Sequence, residues 1–208
     1  MAYALRKWYK KNRDYEMPKS FILGSFAPDI LLYILVFYSY IYYTIFESMS
    51  SSGAFRLMFD TLYFTDPLWI FAYNILHSPF VVIAMICVIY AMLRNNIRLY
   101  KEMNKIGKKE NVTFEKLQKF FPNVIVVLFF FFGCLFHIAF DIPVHNDDGP
   151  LILYPIDMDL RFYSPISYWD PNHYGAEFAI FELAFMIFLV GYLGKDWLMK
   201  KLGRQTIK

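Results

Sequence analysis

Residues 121–144 read FPNVIVVLFFFFGCLFHIAFDIPV, and their composition indicates the class of fold. It is almost entirely apolar, and Asp141 is its one formally charged residue at pH 7. A helix of roughly 20 apolar residues crosses a hydrocarbon core about 30 Å thick. The stretch therefore predicts a membrane-spanning helix.

Three further stretches meet the same criterion of length and apolar composition. The four predicted spans are 21–46, 68–93, 121–144 and 176–193. Polar segments separate them, including a basic loop at 94–119 and an acidic, aromatic loop at 145–175. We predict an all-α, polytopic membrane bundle of about four transmembrane helices, with 1–208 forming a single membrane domain.

The composition supports this class and excludes several others. The chain is 58% hydrophobic and 21% aromatic. Only 19% is charged, against roughly 25% in an ordinary soluble domain. Disorder, a disulfide scaffold and a soluble nucleic-acid-binding protein are excluded. Cys87 and Cys134 lie inside apolar runs, which is typical of small core residues.

The distribution of Lys and Arg predicts the orientation in the membrane. Residues 1–19 carry six of them, residues 94–119 carry eight and the tail from Lys195 carries five. These segments share one side if the chain crosses four times. We therefore expect a multi-pass protein of the plasma (inner) membrane with both termini cytoplasmic. The charge pattern needs no nucleic-acid partner to explain it, and it leaves the oligomeric state open.

Ionisable side chains lie in or beside the predicted spans, where each costs about 3 kcal/mol near the centre of a helix. All four histidines belong to this group, and none lies in a predicted cytoplasmic segment. Two motifs, His137-Ile-Ala-Phe-Asp141 and His173-Tyr-Gly-Ala-Glu177, place an imidazole and a carboxylate on one face of a helix. The residues concerned are Asp29, His77, His137, Asp141, His145, His173 and Glu177.

Imidazoles and carboxylates from several helices are the ligands of zinc and other divalent transition metals. Helical bundles build such sites from facing helices. Seven groups exceed the need of one tetrahedral ion and suit two. Convergence requires a break in the first span, because Asp29 lies about eight residues into it while His137 lies near the opposite end of the third. Gly24 and Pro28 permit that break.

The order of these motifs resembles the zinc-dependent phospholipase C and single-strand nuclease superfamily. It is more similar still to the membrane-bound metal-dependent hydrolases, a multi-pass group. Those proteins carry Gly-x-x-x-Pro-Asp, then His-Ser, then His-x-x-x-Asp before an outer loop. The matching stretches here are Gly24 to Asp29, His77-Ser78 and His137 to Asp141.

The resemblance implies two metal sites. Asp29, His77, His137 and Asp141 would hold the first ion. The second would be held by His145, His173 and Glu177.

Two metals can activate water and clamp a phosphoryl oxygen, with Asp29 accepting the proton of the water. A site in the outer half of a membrane favours a lipid or lipid-linked phosphoester as substrate. Arg161 is the one cation of the 145–175 loop and is a candidate for binding the phosphate. Asp147 and Asp148 are candidates for orienting His145. A solvated turn is the favoured interpretation of Asp147 and Asp148. An ordinary salt bridge within the loop, to Asp157 or Asp159, explains Arg161 equally well.

Two other functions remain open. A divalent-metal transporter would use the same ligands to line a path, although such folds commonly show internal repeats that this chain lacks. A metal-stabilised structural or partner-binding membrane protein would hold the ion without turnover. An open coordination position favours the enzyme, and a closed shell favours the structural protein.

Overall fold

The structure is a computed structural model that describes residues 1–12, 17–103 and 114–201. Over these ranges the chain is helical, apart from turns, irregular loops and one isolated bridge between Leu151 and Arg161. The predicted all-α class is confirmed. The α-helices in chain order are α1 (Ala2–Asn12), α2 (Ser20–Gly24), α3 (Ala27–Ile41), α4 (Ser51–Arg56), α5 (Tyr63–Thr65), α6 (Pro67–His77), α7 (Pro79–Met103), α8 (Phe114–Phe120), α9 (Pro122–Asp141) and α10 (Gly175–Lys201). The π-helical segment Tyr42–Phe46 continues α3, and Leu57–Leu62 joins α4 to α5.

Four helical segments are long and apolar enough to cross a membrane. They are Ala27–Phe46, Pro79–Glu102, Pro122–Val144 and Gly175–Lys195. The third and fourth agree closely with the predicted spans. The first begins later than predicted, because the chain breaks at Ser25 and Phe26 before α3 starts.

The second span also differs from its predicted range of 68–93. Ser78 is extended, with ψ 121°, because the residue before a proline is pushed out of the helical region. The break separates α6 from α7, so the span starts at Pro79. Helix α7 then continues to Met103, and the first ten residues of the predicted basic loop belong to it. The following residues, 104–113, lie outside the described ranges.

Helix α9 is the centre of the bundle. Ile125 and Leu128 pack against Ile89 and Leu93 of α7. Val82 near the start of α7 packs against Ile138 near the end of α9, and Tyr100 near the end of α7 contacts Phe120 just before α9, so the two helices are antiparallel. On another side, α2 crosses α9 at a pair of glycines. A Cβ atom on Gly133 would collide with the carbonyl oxygen of Phe21.

Helix α3 packs mainly against α6. Trp69 and Tyr73 of α6 form a buried cluster with Met58 and Tyr63, and Leu32 of α3 packs against it. Because α2 already lies on α9, α3 starts at the level of the last turns of α9. The break predicted between Gly24 and Pro28 is therefore present, and it resolves the difference in depth between Asp29 and His137.

The 145–175 loop is anchored over the junction of α6 and α7. The backbone amide of Leu151 donates to Asn74 Oδ1 at 2.7 Å, and Ser78 Oγ donates to the carbonyl of Ile152 at 3.1 Å. The hydroxyl of Tyr63 donates to the carbonyl of Asp148 at 2.8 Å. These contacts hold the loop beside the ends of the helices that carry the candidate ligands.

Candidate metal centre

Helix ends bring the predicted ligands together. Asp29 lies in the first turn of α3, where the positive end of the helix dipole favours a carboxylate. His77 is the last residue of α6. His137 and Asp141 occupy the last turns of α9, which Pro143 follows within two residues. Prolines near each of these ends stop or start the helices and so place the side chains at one level.

Asp29, His77 and His137 form a group whose ligand atoms all lie within 4.8 Å of one another. His77 Nε2 is 3.2 Å from Asp29 Oδ1, and His137 Nε2 is 3.6 Å from the same oxygen. Two ligand atoms around a tetrahedral zinc ion lie about 3.4 Å apart, given metal–ligand distances near 2.0–2.1 Å. The two measured distances bracket that value.

The outer nitrogens of both imidazoles are fixed by backbone carbonyls. His77 Nδ1 lies 2.7 Å from the carbonyl oxygen of Tyr73, and His137 Nδ1 lies 3.0 Å from that of Ser25. A carbonyl oxygen can only accept, so each Nδ1 carries the proton. In the neutral tautomer, Nε2 of both rings then presents a lone pair to Asp29. This arrangement is typical of histidines that bind metals.

Two atoms of the site are buried without a hydrogen-bond partner. They are His137 Nε2 and Asp141 Oδ2. Asp141 Oδ2 lies 4.0 Å from His77 Nε2, so it borders the same group. Buried polar atoms in proteins nearly always have a hydrogen-bond partner. Imidazole lone pairs and carboxylate oxygens that face one another with no proton or cation between them are therefore unfavourable. A divalent cation would supply the missing partner for both atoms, so the residues fit a metal.

His145 lies beside this group, between two carboxylates. Its Nε2 is 3.1 Å from Asp141 Oδ1, and its Nδ1 is 2.9 Å from Asp148 Oδ1. Burial lowers the pKa of His145, but the hydrogen bonds to the two carboxylates outweigh burial and raise the pKa to about 9. His145 thereby links Asp141 to the loop, and a carboxylate lies within hydrogen-bond distance of each of its ring nitrogens.

Asp148 also accepts from Trp169 Nε1 at 3.0 Å, so it joins His145 to the far part of the loop. This is the position that the sequence suggested for a carboxylate that orients His145. The neighbouring Asp147 is exposed.

The residues predicted for a second ion are not brought together as a group within the described residues. His145 is paired as above. His173 is half-exposed, and its Nδ1 lies 2.7 Å from Asp170 Oδ2. Glu177 is exposed in the first turn of α10, beside a cavity lined by Tyr174 and Phe178. The His173–Glu177 spacing therefore gives no shared ligand set.

Arg161 faces the protein. Its guanidinium donates to the carbonyl of Gly149 and lies 5.2 Å from the ring centroid of Phe64. Asp157, a predicted alternative partner, instead accepts from the backbone amides of Asp159 and Leu160. The guanidinium thus connects two parts of the 145–175 loop to each other and to Phe64.

Three contacts were not predicted from the sequence. Two of them support the site, and the third involves His173, which lies outside it. The Tyr73 carbonyl precedes His77 by four residues, so ordinary helical spacing could have identified it. Asp170 precedes His173 by three residues, and this spacing allows a local hydrogen bond between the two side chains. That bond engages the imidazole that was predicted to bind a metal. The chain leaves the helical path at Ser25, so its carbonyl oxygen can contact His137. No sequence spacing predicts this contact, because the two residues are 112 positions apart.

No protein-family model, curated protein or solved structure matches the chain. The resemblance to membrane-bound metal-dependent hydrolases therefore rests on the motifs around Asp29, His77 and His137.

Proposed function

We propose that the protein is a membrane-embedded, metal-dependent hydrolase of the membrane-bound metal-dependent hydrolase type. Its substrate is a phosphoester on a lipid or lipid-linked headgroup. The observation that supports this function most strongly is the group of Asp29, His77 and His137. His77 is buried, each Nδ1 lies within hydrogen-bond distance of a carbonyl, and each Nε2 faces the carboxylate of Asp29.

These three residues would hold one divalent transition metal, with Asp141 bordering the ion. Two imidazoles and a carboxylate are a ligand set of catalytic zinc sites, which keep a further position open. When bound, such an ion polarises a phosphoryl oxygen and lowers the pKa of a coordinated water to about 7.

The chain's own residues have distinct tasks in this proposal. The imidazoles of His77 and His137 act as neutral ligands, since their Nδ1 protons are held by carbonyls. The carboxylate of Asp29 presents one oxygen to both imidazoles, and its side chain is 33% exposed. Its second oxygen would accept the proton of the attacking water. Tyr73 and His77 are buried, and they exclude bulk water from the side of the site that lies opposite the exposed part of Asp29.

A structural metal site is the second candidate, because the ligands come from three separate elements. An ion would tie α3, α6 and α9 together whether or not a reaction follows. A transporter would use the same residues to pass the ion onward.

An assay of purified protein in mixed micelles separates these functions. Phospholipids that carry a fluorescent acyl chain are incubated with protein loaded with zinc or manganese, and release of diacylglycerol and phosphorylated headgroup is measured. Turnover that Asp29→Asn abolishes and His173→Asn retains supports the hydrolase. Bound metal without turnover on any phospholipid or lipid-linked phosphoester tested overturns the hydrolase and favours the structural site. Metal flux into proteoliposomes favours the transporter.

We further propose that the protein resides in the plasma (inner) membrane with both termini cytoplasmic. The support is that 19 of the 21 Lys and Arg residues fall in three segments that an even number of spans places together. Single cysteines at Lys119 and at Asp157, in a variant without Cys87 and Cys134, test this. Labelling by an impermeant maleimide in intact cells at 157, and at 119 only after permeabilisation, is the expected result.

A further inference from the structure

The accessible part of the candidate metal group is the carboxylate of Asp29. Its side chain is 33% exposed, whereas the side chains of His77 and His137 are 1% and 16% exposed. A substrate therefore reaches the group from the side of Asp29, at the start of α3. The residues around this carboxylate are the ones that a substrate meets.

Two tyrosines lie beside this accessible side. Tyr33 follows Asp29 by four residues in α3, so the two side chains lie on one face of the helix. Tyr168 lies in the loop before α10, and its ring meets the ring of His145 edge-on, with 5.1 Å between the centroids. His145 is bound to Asp141, which borders the metal group. The two tyrosines thus approach the group from two separate elements.

Electrostatic interactions connect both tyrosines to the carboxylates of the site. Tyr33 and Tyr168 each interact with the charges of Asp29 and Asp141, and Tyr168 also interacts with Tyr33. Interactions between partly exposed groups are largely screened beyond about 10 Å. The tyrosine side chains are therefore near the carboxylates and near each other.

The hydroxyls of this pair are available to a ligand. Among the residues that the structure describes, neither hydroxyl has a hydrogen-bond partner. Tyr33 is 66% exposed and Tyr168 is 46% exposed. A tyrosine hydroxyl can donate a hydrogen bond and is protonated at neutral pH. The pair therefore offers two donors beside a group of carboxylates and imidazoles.

Tyr168 is held in place by its own backbone and by the next residue. Its backbone amide donates to the carbonyl of Val144 at 2.9 Å. Trp169 Nε1 donates to Asp148 Oδ2 at 3.0 Å, which fixes the neighbouring side chain. A donor that is already fixed loses less conformational entropy when it binds a ligand. This part of the loop is therefore suited to holding a ligand in one orientation.

The proposed phosphoester substrate requires hydrogen-bond donors beside the metal group. Donors aimed at phosphoryl oxygens stabilise the charge on a phosphoryl group that is being transferred. Arg161, the cation that the sequence suggested for this task, is directed at Gly149 and Phe64 instead. Tyr33 and Tyr168 supply donors on the side where Arg161 does not.

We propose that the hydroxyls of Tyr33 and Tyr168 bind the phosphoryl oxygens of the substrate at the accessible side of Asp29. This inference rests on the proposed hydrolase function and names residues that position its substrate. Without a bound cation, the carboxylates of Asp29 and Asp141 repel a phosphate. Binding of a phosphate by the tyrosine pair should therefore require the metal.

Calorimetric titration of the full chain in detergent, loaded with zinc, tests the proposal without relying on turnover. The probes are inorganic phosphate and a non-hydrolysable phosphonate analogue of a short-chain phospholipid. Tyr33→Phe and Tyr168→Phe should each weaken binding of the phosphonate by about tenfold or more, because each removes a hydrogen bond to a charged group and keeps the ring.

Two exposed tyrosines elsewhere provide matched controls. Tyr38→Phe lies on α3, and Tyr163→Phe lies in the same loop as Tyr168. Exposed tyrosines are common at membrane interfaces without binding any ligand, so these two variants should leave the dissociation constant unchanged. All four variants should retain stoichiometric zinc, since no tyrosine belongs to the candidate ligand group.

The two probes distinguish the source of the phosphate. Tighter binding of the phosphonate than of inorganic phosphate supports a lipid phosphate as the ligand of the pair. Equal binding of the two probes, weakened by both Tyr→Phe changes, supports the pair as a site for free phosphate.

The outcomes also separate this inference from the proposed function. Phosphonate binding that Tyr33→Phe and Tyr168→Phe leave unchanged would overturn the role of the pair, even if the protein hydrolyses a lipid. Absence of phosphonate binding by the zinc-loaded protein would overturn it as well. Binding that both variants weaken, in a protein that hydrolyses no phosphoester, would support the tyrosine pair and overturn the hydrolase.

Discussion

His77 Nε2 lies 3.2 Å from Asp29 Oδ1, although 48 residues separate the two in sequence. Since the Tyr73 carbonyl holds the proton of His77 on Nδ1, a neutral ring directs a lone pair at a carboxylate oxygen. Either an added proton or a cation must lie between them. The same oxygen is 3.6 Å from His137 Nε2, which has no partner of its own. One added proton leaves that second nitrogen unsatisfied, whereas one divalent ion satisfies both.

Zinc should stabilise the unmodified protein. A ligand at one hundred times its dissociation constant adds about 2.7 kcal/mol to the free energy of unfolding, which corresponds to a rise in Tm of about 5 to 10 °C for a chain of this size. Asp29→Asn should abolish most of the rise, because it removes the charged ligand. Thermal unfolding in detergent, with and without zinc, measures the effect. If zinc raised the Tm of Asp29→Asn as much as that of the unmodified protein, the zinc would bind at a different site.

The crossing of α2 and α9 should be sensitive to a single methyl group. Gly133→Ala places a Cβ against the backbone of α2, and we expect a loss of about 1 to 3 kcal/mol in the free energy of unfolding. Gly191→Ala is the matched control, because a Cβ there meets open space. Because α2 leads directly to Asp29, Gly133→Ala should also weaken zinc binding. Equal stability of the two variants would contradict the close crossing.

Arg161 should act on the loop rather than on metal binding. Arg161→Ala removes a charged hydrogen bond to Gly149 and packing against Phe64, so we expect a loss of about 1.5 to 3 kcal/mol in local stability. Limited proteolysis within residues 145–175 measures that loss. Arg56→Ala, at an exposed residue of α4, is the control and should leave the rate of cleavage unchanged. A raised KM for lipid without faster cleavage would instead support the predicted role in binding phosphate.

The helical class could be predicted from the sequence because it depends on the length of the apolar stretches. The pairing of His137 with Asp141 on α9 could be predicted because it depends on local spacing. His137 and Asp141 share a face by helical periodicity alone, and a proline beside Asp29 indicated a break. Ser78-Pro79 divides α6 from α7, whereas the continuous apolar composition of residues 68–93 favours a single span. The position of His173 depends on the path of the 145–175 loop, where a local bond to Asp170 satisfies the ring. No periodicity encodes such a path.

We propose that Asp29, His77 and His137 bind a divalent metal. This proposal is tested most directly by measuring the metal content of detergent-purified protein by mass spectrometry, after reloading with zinc and removal of excess. We predict stoichiometric zinc in the unmodified protein and in His173→Asn, and its loss in His77→Asn and His137→Asn. No bound metal in the unmodified protein, or equal retention in all three variants, would contradict the claim.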